Sequence, residues 1–164
     1  MANWTENDLK KQYDSAKQNG WLAHFEDAAQ QHDFSVELLL AISSRETNLK
    51  NIKGDFRDGI YHGYGVMQVD IGTDPAFCKA WTPEKVRESV QGGCRILAGK
   101  RAYLAKKQCT DLRAIAAAYN TGEGNVSRSL ANGRDPDSTT TGRNYGSDVL
   151  ARMEVFKRLL GEQA

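Results

Sequence analysis

One acidic side chain on the apolar face of a helix is the pattern in this sequence best suited to chemistry. The run Leu38-Leu-Leu-Ala-Ile-Ser-Ser-Arg-Glu46 puts Glu46 on one stripe with Leu39, Ile42 and Ser43, because residues three, four and seven apart share a helical face. Burial disfavours the charged form, and so does the negative end of the helix dipole, so the sequence predicts a raised pKa. A carboxyl still protonated near neutral pH can give its proton to a leaving group. An exposed helix-end glutamate and a core salt bridge to Arg45 are the structural alternatives, and spacing alone does not separate them.

Proton donation is half of a glycosidic hydrolysis; something must also activate water or stabilise the developing cation. Asp58 and Asp70, in the glycine-rich stretch that follows Glu46, are the candidates. Turn formation and helix capping are their commoner uses. Tyr119 and Asn120 at one helix end, and Tyr145 at the start of another, could line the same cleft with hydroxyl and amide groups. Core packing for Tyr119 and a C-cap for Asn120 are the alternatives. Tyr61, Tyr64 and Trp81 are candidates for stacking on sugar faces, or for core.

The elements that must position these groups read as mostly helical. Thr5-Glu-Asn-Asp8 resembles a capping box opening a helix through Leu9, Tyr13 and Ala16 that stops near Asn19-Gly20. A second helix is predicted from Trp21 to about Gln31, and Ser35 caps the helix that carries Glu46. From Asn48 to Pro75 the content is helix-poor, with turns, a small sheet and a short strand over Tyr64 to Val69 that Asp70 closes. Thr82-Pro83-Glu84 predicts the start of a long helix to about Lys107, with Val86, Val90, Cys94, Leu97 and Leu104 inward. Its Gly92, Gly93 and Gly99 lower helix propensity and so imply close backbone approach. Asp111 opens a helix with Leu112, Ile115, Ala116 and Tyr119 on one stripe, ended by Thr121-Gly122. A helix through Val126 and Leu130 leads into a loop from Asn132 to Gly142. The last helix runs from about Tyr145 to Leu160 with Val149, Met153, Phe156 and Leu160 inward. The fold class is mainly α, one domain with a glycine-rich excursion.

At 164 residues the chain suits a single domain with its own core. Its 22 basic residues against 21 acidic ones give no general electrostatic argument for nucleic acid or an anionic membrane as partner. The three cysteines, Cys78, Cys94 and Cys109, cannot all pair within one chain, and reduced thiols with Cys94 in the core are expected. His24, His32 and His62 fall on what read as three different elements, without metal-ligand spacing, so neither metal nor cofactor is expected. No apolar run reaches the length of a membrane span, and the start of the sequence lacks the basic and apolar regions of a signal peptide. Synthesis in a cytoplasm is the expectation.

With these residues in hand, the chain from about Leu38 to Leu160 resembles the goose-type lysozyme family, and more distantly the catalytic domains of soluble lytic transglycosylases. The resemblance rests on Ser44-Arg-Glu46, Gly63-Tyr-Gly-Val-Met-Gln-Val-Asp70, Ala118-Tyr-Asn-Thr-Gly-Glu-Gly-Asn-Val126 and Asn144-Tyr-Gly-Ser-Asp-Val-Leu-Ala-Arg152, in the family's order. It implies a lysozyme-like fold; residues 1–34 lie outside the resemblance and are expected as helices packed on the catalytic core within a single domain over residues 1–164. It also implies cleavage of peptidoglycan between N-acetylmuramic acid and N-acetylglucosamine, with Glu46 as general acid. Gln68, Tyr64, Tyr119, Asn120 and Tyr145 fall to the substrate cleft by the same resemblance.

Asp70 matches the Gln-Val-Asp pattern of the hydrolases, in which aspartates hold the attacking water; the transglycosylases usually lack that acid. Asp58 matches the second aspartate with one residue of extra spacing before Gly63, and Asp55 is the fallback. Hydrolysis with inversion is therefore expected, with a lytic transglycosylase and a non-catalytic wall-binding protein as the alternatives. Bacterial peptidoglycan is the expected partner of a monomer that does not insert into membranes. The absent export signal and odd cysteine count fit a bacteriophage endolysin, a mature fragment without its leader, or a bacterial wall-remodelling enzyme.

Overall fold

The computed structural model describes residues 3–162, and its first helix starts where a side chain dictates. Helix α1 (Glu6–Gln18) opens on a reciprocal capping box: the Thr5 hydroxyl accepts from the Asp8 N–H at 3.2 Å, and the Asp8 carboxylate accepts from the Thr5 N–H at 2.8 Å. Helix α2 (Leu22–His32) ends at Asp33 in the left-handed region, and α3 (Val36–Thr47) is capped by Ser35. His24 and His32 thus share one helix, contrary to the expectation of three separate elements.

The helix-poor stretch forms a three-stranded antiparallel sheet in the order β1 (Lys53–Arg57), β2 (Ile60–Tyr64), β3 (Val69–Asp70). A strand over Tyr64 to Val69 does not form. Tyr64 ends β2 and pairs with Val69 at the start of β3, and the chain reverses between them through Gly65 (φ +83°) and Gln68 (φ +50°). A Cβ at Gly65 would lie 2.3 Å from the Ser89 hydroxyl oxygen, so backbone conformation and space both require glycine there.

Helix α4 (Pro75–Ala80) is an element that periodicity missed; it is six residues long, with Asp74 accepting from the Phe77 N–H and Pro75 in the first turn. The long helix α5 (Val86–Lys106) begins later than Thr82-Pro83-Glu84 predicted. The Lys85 N–H bonds back to the Thr82 carbonyl in a separate turn, and the Asn51 side chain donates to the Pro83 carbonyl. Val86, Val90, Cys94, Leu97 and Leu104 are all buried along α5. Close approach holds at Gly93, where a Cβ would meet Met67 at 2.5 Å, and at Gly92, 3.3 Å from Val69; Gly99 has open space and approaches nothing.

Helices α6 (Leu112–Thr121) and α7 (Glu123–Ala131) meet at Gly122 (φ +89°). The segment expected as loop contains two short 3-10 turns, Pro136–Thr139 and Thr141–Arg143, before α8 (Tyr145–Gly161). Val149 and Phe156 are buried as predicted, whereas Met153 and Leu160 are only partly covered. The main core gathers α1, α2, α3, α5, α6 and α8 around fully buried residues such as Leu39, Ile42, Leu97 and Phe156, each worth roughly 1.5–3 kcal/mol of transfer free energy. A satellite cluster of Tyr64, Val69 and Cys78 lies under the sheet. The architecture is the mainly α, lysozyme-like one, with a small sheet inserted after α3.

Candidate active site

Glu46 occupies the last turn of α3, a helix whose residues Leu38 to Ser44 are all buried. Asn48 and Leu49, both in the left-handed region, then turn the chain away: the Asn48 N–H closes on the Ser43 and Ser44 carbonyls. Glu46 keeps partial exposure as a residue while its carboxyl is desolvated. Burial pushes that carboxyl up to about 7, against the lowering pull of a hydrogen bond from Tyr145 and of the Arg45 charge. The Tyr145 hydroxyl donates to Glu46 Oε1. Of the two structural alternatives, neither holds: Glu46 is not freely exposed, and the ion partner of Arg45 is Asp148, at 3.1 Å, instead of Glu46.

Tyr145 is held by carboxylate capping at a distance in sequence. Asp137, 1 % exposed, accepts from the Gly146 N–H at 2.6 Å and the Ser147 N–H at 3.0 Å, so it caps the start of α8 from the 3-10 turn. Arg113 Nε donates to the same carboxylate at 3.0 Å. Burial alone would raise the Asp137 pKa, but the two backbone donors and the guanidinium outweigh it and leave the pKa lowered. A Cβ at Gly146 would fall 2.6 Å from the Arg113 carbonyl oxygen, so this docking needs glycine. The Tyr145 N–H also donates to the Thr140 hydroxyl, at 3.2 Å.

One turn further along α8, Asp148 collects the other side of the site. It accepts from Trp4 Nε1 at 2.7 Å, Arg152 Nε at 2.8 Å and Arg45 at 3.1 Å. Arg152 is itself buried and reaches the Ser44 hydroxyl at 2.7 Å, and Ser44 donates to Gln12 at 2.6 Å. The Arg45 guanidinium, 5.5 Å from the Tyr145 ring centre, also donates to Asn144. Sequence reading missed this network. An Asp and an Arg four residues apart on a helix read as an exposed pair, and nothing local announces that Trp4 and Ser44 close over them.

Tyr119 donates to the Met67 carbonyl at 2.7 Å, fixing the wall made by residues 66–68 against the end of α6. Its hydroxyl pKa is raised by burial and then by the nearby Glu46 charge, as is that of Tyr145. Thr47 ties the same wall to α3 through the Val66 carbonyl, at 3.0 Å. Asn120 does not cap α6; that helix runs one residue further to Thr121, and the Asn120 side chain accepts from the Thr141 N–H at 2.9 Å.

Gln68 donates from Nε2 to the Ile52 and Gly65 carbonyls at 3.0 and 2.9 Å, which commits its amide hydrogens and fixes the direction of its oxygen. That oxygen lies over the Gly54–Gly63 pair, where added Cβ atoms would sit 2.2 and 2.3 Å from it. Asp70 is exposed in β3 opposite Gly63, and its Oδ1 accepts from the Gly72 N–H at 2.8 Å.

The other acids and rings lie elsewhere on the sheet. Asp58 shares the β1–β2 turn with Gly59, both at positive φ (51° and 81°), the type I′ geometry that favours Asp-Gly. The turn joins Arg57 to Ile60, about 10 Å along the strand from Gly63. Asp55 is exposed and paired with Arg57 at 3.3 Å. Tyr64, 9 % exposed, sits edge-on to Trp81 in the satellite core and supports the sheet instead of offering a face. The structure therefore brings Glu46, Tyr145, Tyr119 and the Met67–Gln68 wall together, sets Asp70 at the adjoining sheet edge, and leaves Asp58 at the hairpin tip.

Among the described residues no group of three or more His, Cys, Asp and Glu side chains could hold a metal ion. The three cysteines are free, with Cys94 fully buried in the core and its thiol pushed up to about 12 by burial. A cavity of about 630 Å³ between the end of α5, the segment 107–111 and α7, lined by Leu104, Cys109, Asp111 and Leu130 among others, contains none of the site residues. No helix among the described residues is long and apolar enough to cross a membrane.

Comparison with known proteins gives this geometry its setting. Residues 9–159 match the family described as Lysozyme g. Lysozyme g of Epinephelus coioides is 30 % identical over 162 residues, covering 90 % of this chain and 80 % of that protein. Lysozyme g of Takifugu rubripes is 29 % identical over 168 residues, covering 96 % and 85 %. The match reaches back into α1, beyond the region where the sequence motifs lie. On these grounds the chain belongs to the lysozyme g family, the goose-type lysozymes, and is a glycoside hydrolase that degrades the peptidoglycan of bacterial cell walls.

Proposed function

We propose that the chain cleaves the β-1,4 bond between N-acetylmuramic acid and N-acetylglucosamine by inversion, with Glu46 as general acid and Asp70 holding the attacking water. The observation that carries this reading is a glutamic acid in the last turn of the buried helix α3, its carboxyl bonded by the Tyr145 hydroxyl and desolvated, which pushes its pKa up to about 7. At pH 6 such a group is mostly protonated yet acidic enough to give up its proton. Glu46 protonates the glycosidic oxygen as the bond to the anomeric carbon breaks. Its new negative charge is then supported by the Tyr145 hydroxyl and by Arg45. Water on the opposite face adds to the cation-like centre and passes its proton to the Asp70 carboxylate. In this scheme the two carboxyl groups stand roughly 6.5–9.5 Å apart, leaving room for the water.

The test is digestion of purified peptidoglycan with mass spectrometry of the products. Reducing muramic ends are expected. Anhydro ends would replace the water step with attack by the sugar's own hydroxyl. Glu46→Gln is expected to lose about 10²–10⁴-fold in kcat, the usual worth of a general acid, and undiminished lysis by that variant would overturn the assignment. Asp70→Asn is expected to lose more than Asp58→Asn or Asp55→Asn, since the hairpin acids sit in the turn and in the Arg57 pair. The reverse order would move the water to the hairpin.

A further inference from the structure

We propose that the β1–β2 hairpin is an outer glycan subsite, in which Phe56 and Tyr61 take sugar rings of the peptidoglycan strand beyond the bond that is cut. The proposal rests on the reading of Glu46 and Asp70 as the cutting site, and adds a place where the rest of the polymer lies. Six large hydrophobic residues stay exposed among those described, and four of them, Ile52, Phe56, Ile60 and Tyr61, fall in or beside this one hairpin at 45, 63, 49 and 39 % exposure. The local core does not need them, because Tyr64, Val69 and Cys78 already close it from beneath. Apolar surface concentrated in this way marks an interaction site more often than scattered apolar residues do.

The chemistry of the patch suits a sugar. Phe56 and Tyr61 are register partners with ring centres 4.9 Å apart, tilted by 57°, so two aromatic faces are preset with little side-chain freedom left to lose. The Lys53 ammonium lies 5.7, 5.6 and 5.7 Å from the ring centres of Tyr61, Tyr64 and Trp81, so one cation ties the exposed pair to the rings that support the sheet. Asp55, Arg57 and Asp58 flank the rings with both signs of charge, unlike the uniformly basic surface that anionic lipid attracts.

Continuity with the cutting site supplies the occupant. Gly63 pairs with Asp70 on one side and Gly54 on the other, and Tyr61 lies two residues along β2 from Gly63, about 7 Å. The two glycines leave a floor on which the Gln68 side chain is the nearest cover. A polymer seated beside Asp70 has a flat path across Gln68 to the ring pair. Among the described residues no comparable exposed ring pair leads away from the α8 side, where Tyr145 is buried.

The experiment compares long glycan strands stripped of stem peptides with a tetrasaccharide of the same repeat. For Phe56→Ala combined with Tyr61→Ala, the ratio of kcat/KM on long strands to kcat/KM on the tetrasaccharide is expected to fall at least fivefold. The ring-preserving pair Phe56→Tyr with Tyr61→Phe is expected to keep the ratio, which guards against a hairpin that merely misfolds. In a Glu46→Gln background, equilibrium binding of the long strands should weaken by a similar factor. An unchanged ratio, or equal losses on both substrates, would overturn the subsite. So would loss of binding to anionic lipid vesicles with glycan binding intact. If Glu46→Gln still cuts, the catalytic reading fails while the binding comparison still reports on the hairpin.

Discussion

The side of the site proposed to supply the acid and the side proposed to hold the water are built by opposite means. Glu46 lies where α3 meets α8, held by side chains that are themselves buried: Tyr145 at 2 %, Asp137 at 1 %, Asp148 and Arg152 at 6 % exposure. Asp70 lies on a two-residue strand at the edge of a sheet whose hairpin is exposed almost throughout, with positive φ at Asp55, Asp58 and Gln68. A general acid needs a shifted pKa, and a shift needs desolvation that only a rigid, water-excluding wall maintains. A group that orients a water needs access to solvent and tolerates movement. On the proposed roles, the contrast fits the clustering of the buried charges Asp137, Asp148 and Arg152 at and beside α8, against α3.

The largest effect should come from removing a buried charge on the acid side. Asp148→Ala leaves Arg45 and Arg152 without their shared carboxylate and Trp4 Nε1 without an acceptor. Breaking a buried ion cluster by one partner costs about 3–5 kcal/mol. On the other side, Asp55→Asn breaks only the exposed pair with Arg57, worth less than about 1 kcal/mol, and asparagine accepts the left-handed backbone at that position. Urea unfolding of the two variants measures both. Equal losses would mean that the two regions are not built differently.

How much of this contrast could be read beforehand differs between the two sides. Thr5, Ser35 and Asp111 act within three residues of themselves, so their helices are legible from local pattern. Glu46 is legible for the same reason: its apolar neighbours are its own helix. Asp137 and Asp148 are not, because their partners Arg113, Gly146, Trp4 and Arg45 are between 9 and 144 residues away. Helix α4 carries the same cap-plus-proline signal as Thr82-Pro83, but at six residues it is too short to show a period. Conversely, Thr82-Pro83 promises a helix that begins only at Val86, because Asn51 claims the Pro83 carbonyl from another part of the chain. Phe56 looks like an ordinary strand residue until its neighbours leave it 63 % exposed.

A pH series sharpens the comparison further. Because the folded chain holds Glu46 at about 7 against 4.5 for the free side chain, the folded state prefers the proton. The resulting stability is fully present below about pH 4.5 and is lost as pH rises through 7. Glu46→Gln, which cannot ionise, lacks that dependence. The stability of the native protein relative to Glu46→Gln should therefore fall by up to about 3 kcal/mol between pH 5 and 8.5. Thermal or urea midpoints of both proteins across that range give the difference, and a flat difference would show that the carboxyl is not desolvated in solution.

The last of these effects is the most specific to the proposed catalytic role. Tyr145 donates to Glu46 Oε1, and that bond favours the carboxylate, so it lowers a pKa that burial has raised. Tyr145→Phe removes the donor and keeps the ring that packs beside the Arg45 guanidinium. The Glu46 pKa should then rise, because the desolvated charge has lost a stabilising partner while the neutral acid loses less. For a general acid the alkaline limb of the kcat/KM profile follows this group, so the limb should move upward from near 7 by about one pH unit, or ~1.4 kcal/mol. A merely structural Tyr145 would lower the rate at all pH values alike. A limb that stays in place would therefore sever Tyr145 from the acid, even if the variant were slower. A limb that moves downward would mean that the hydroxyl supports the neutral acid, and would reverse the order in which burial and hydrogen bonding set this site.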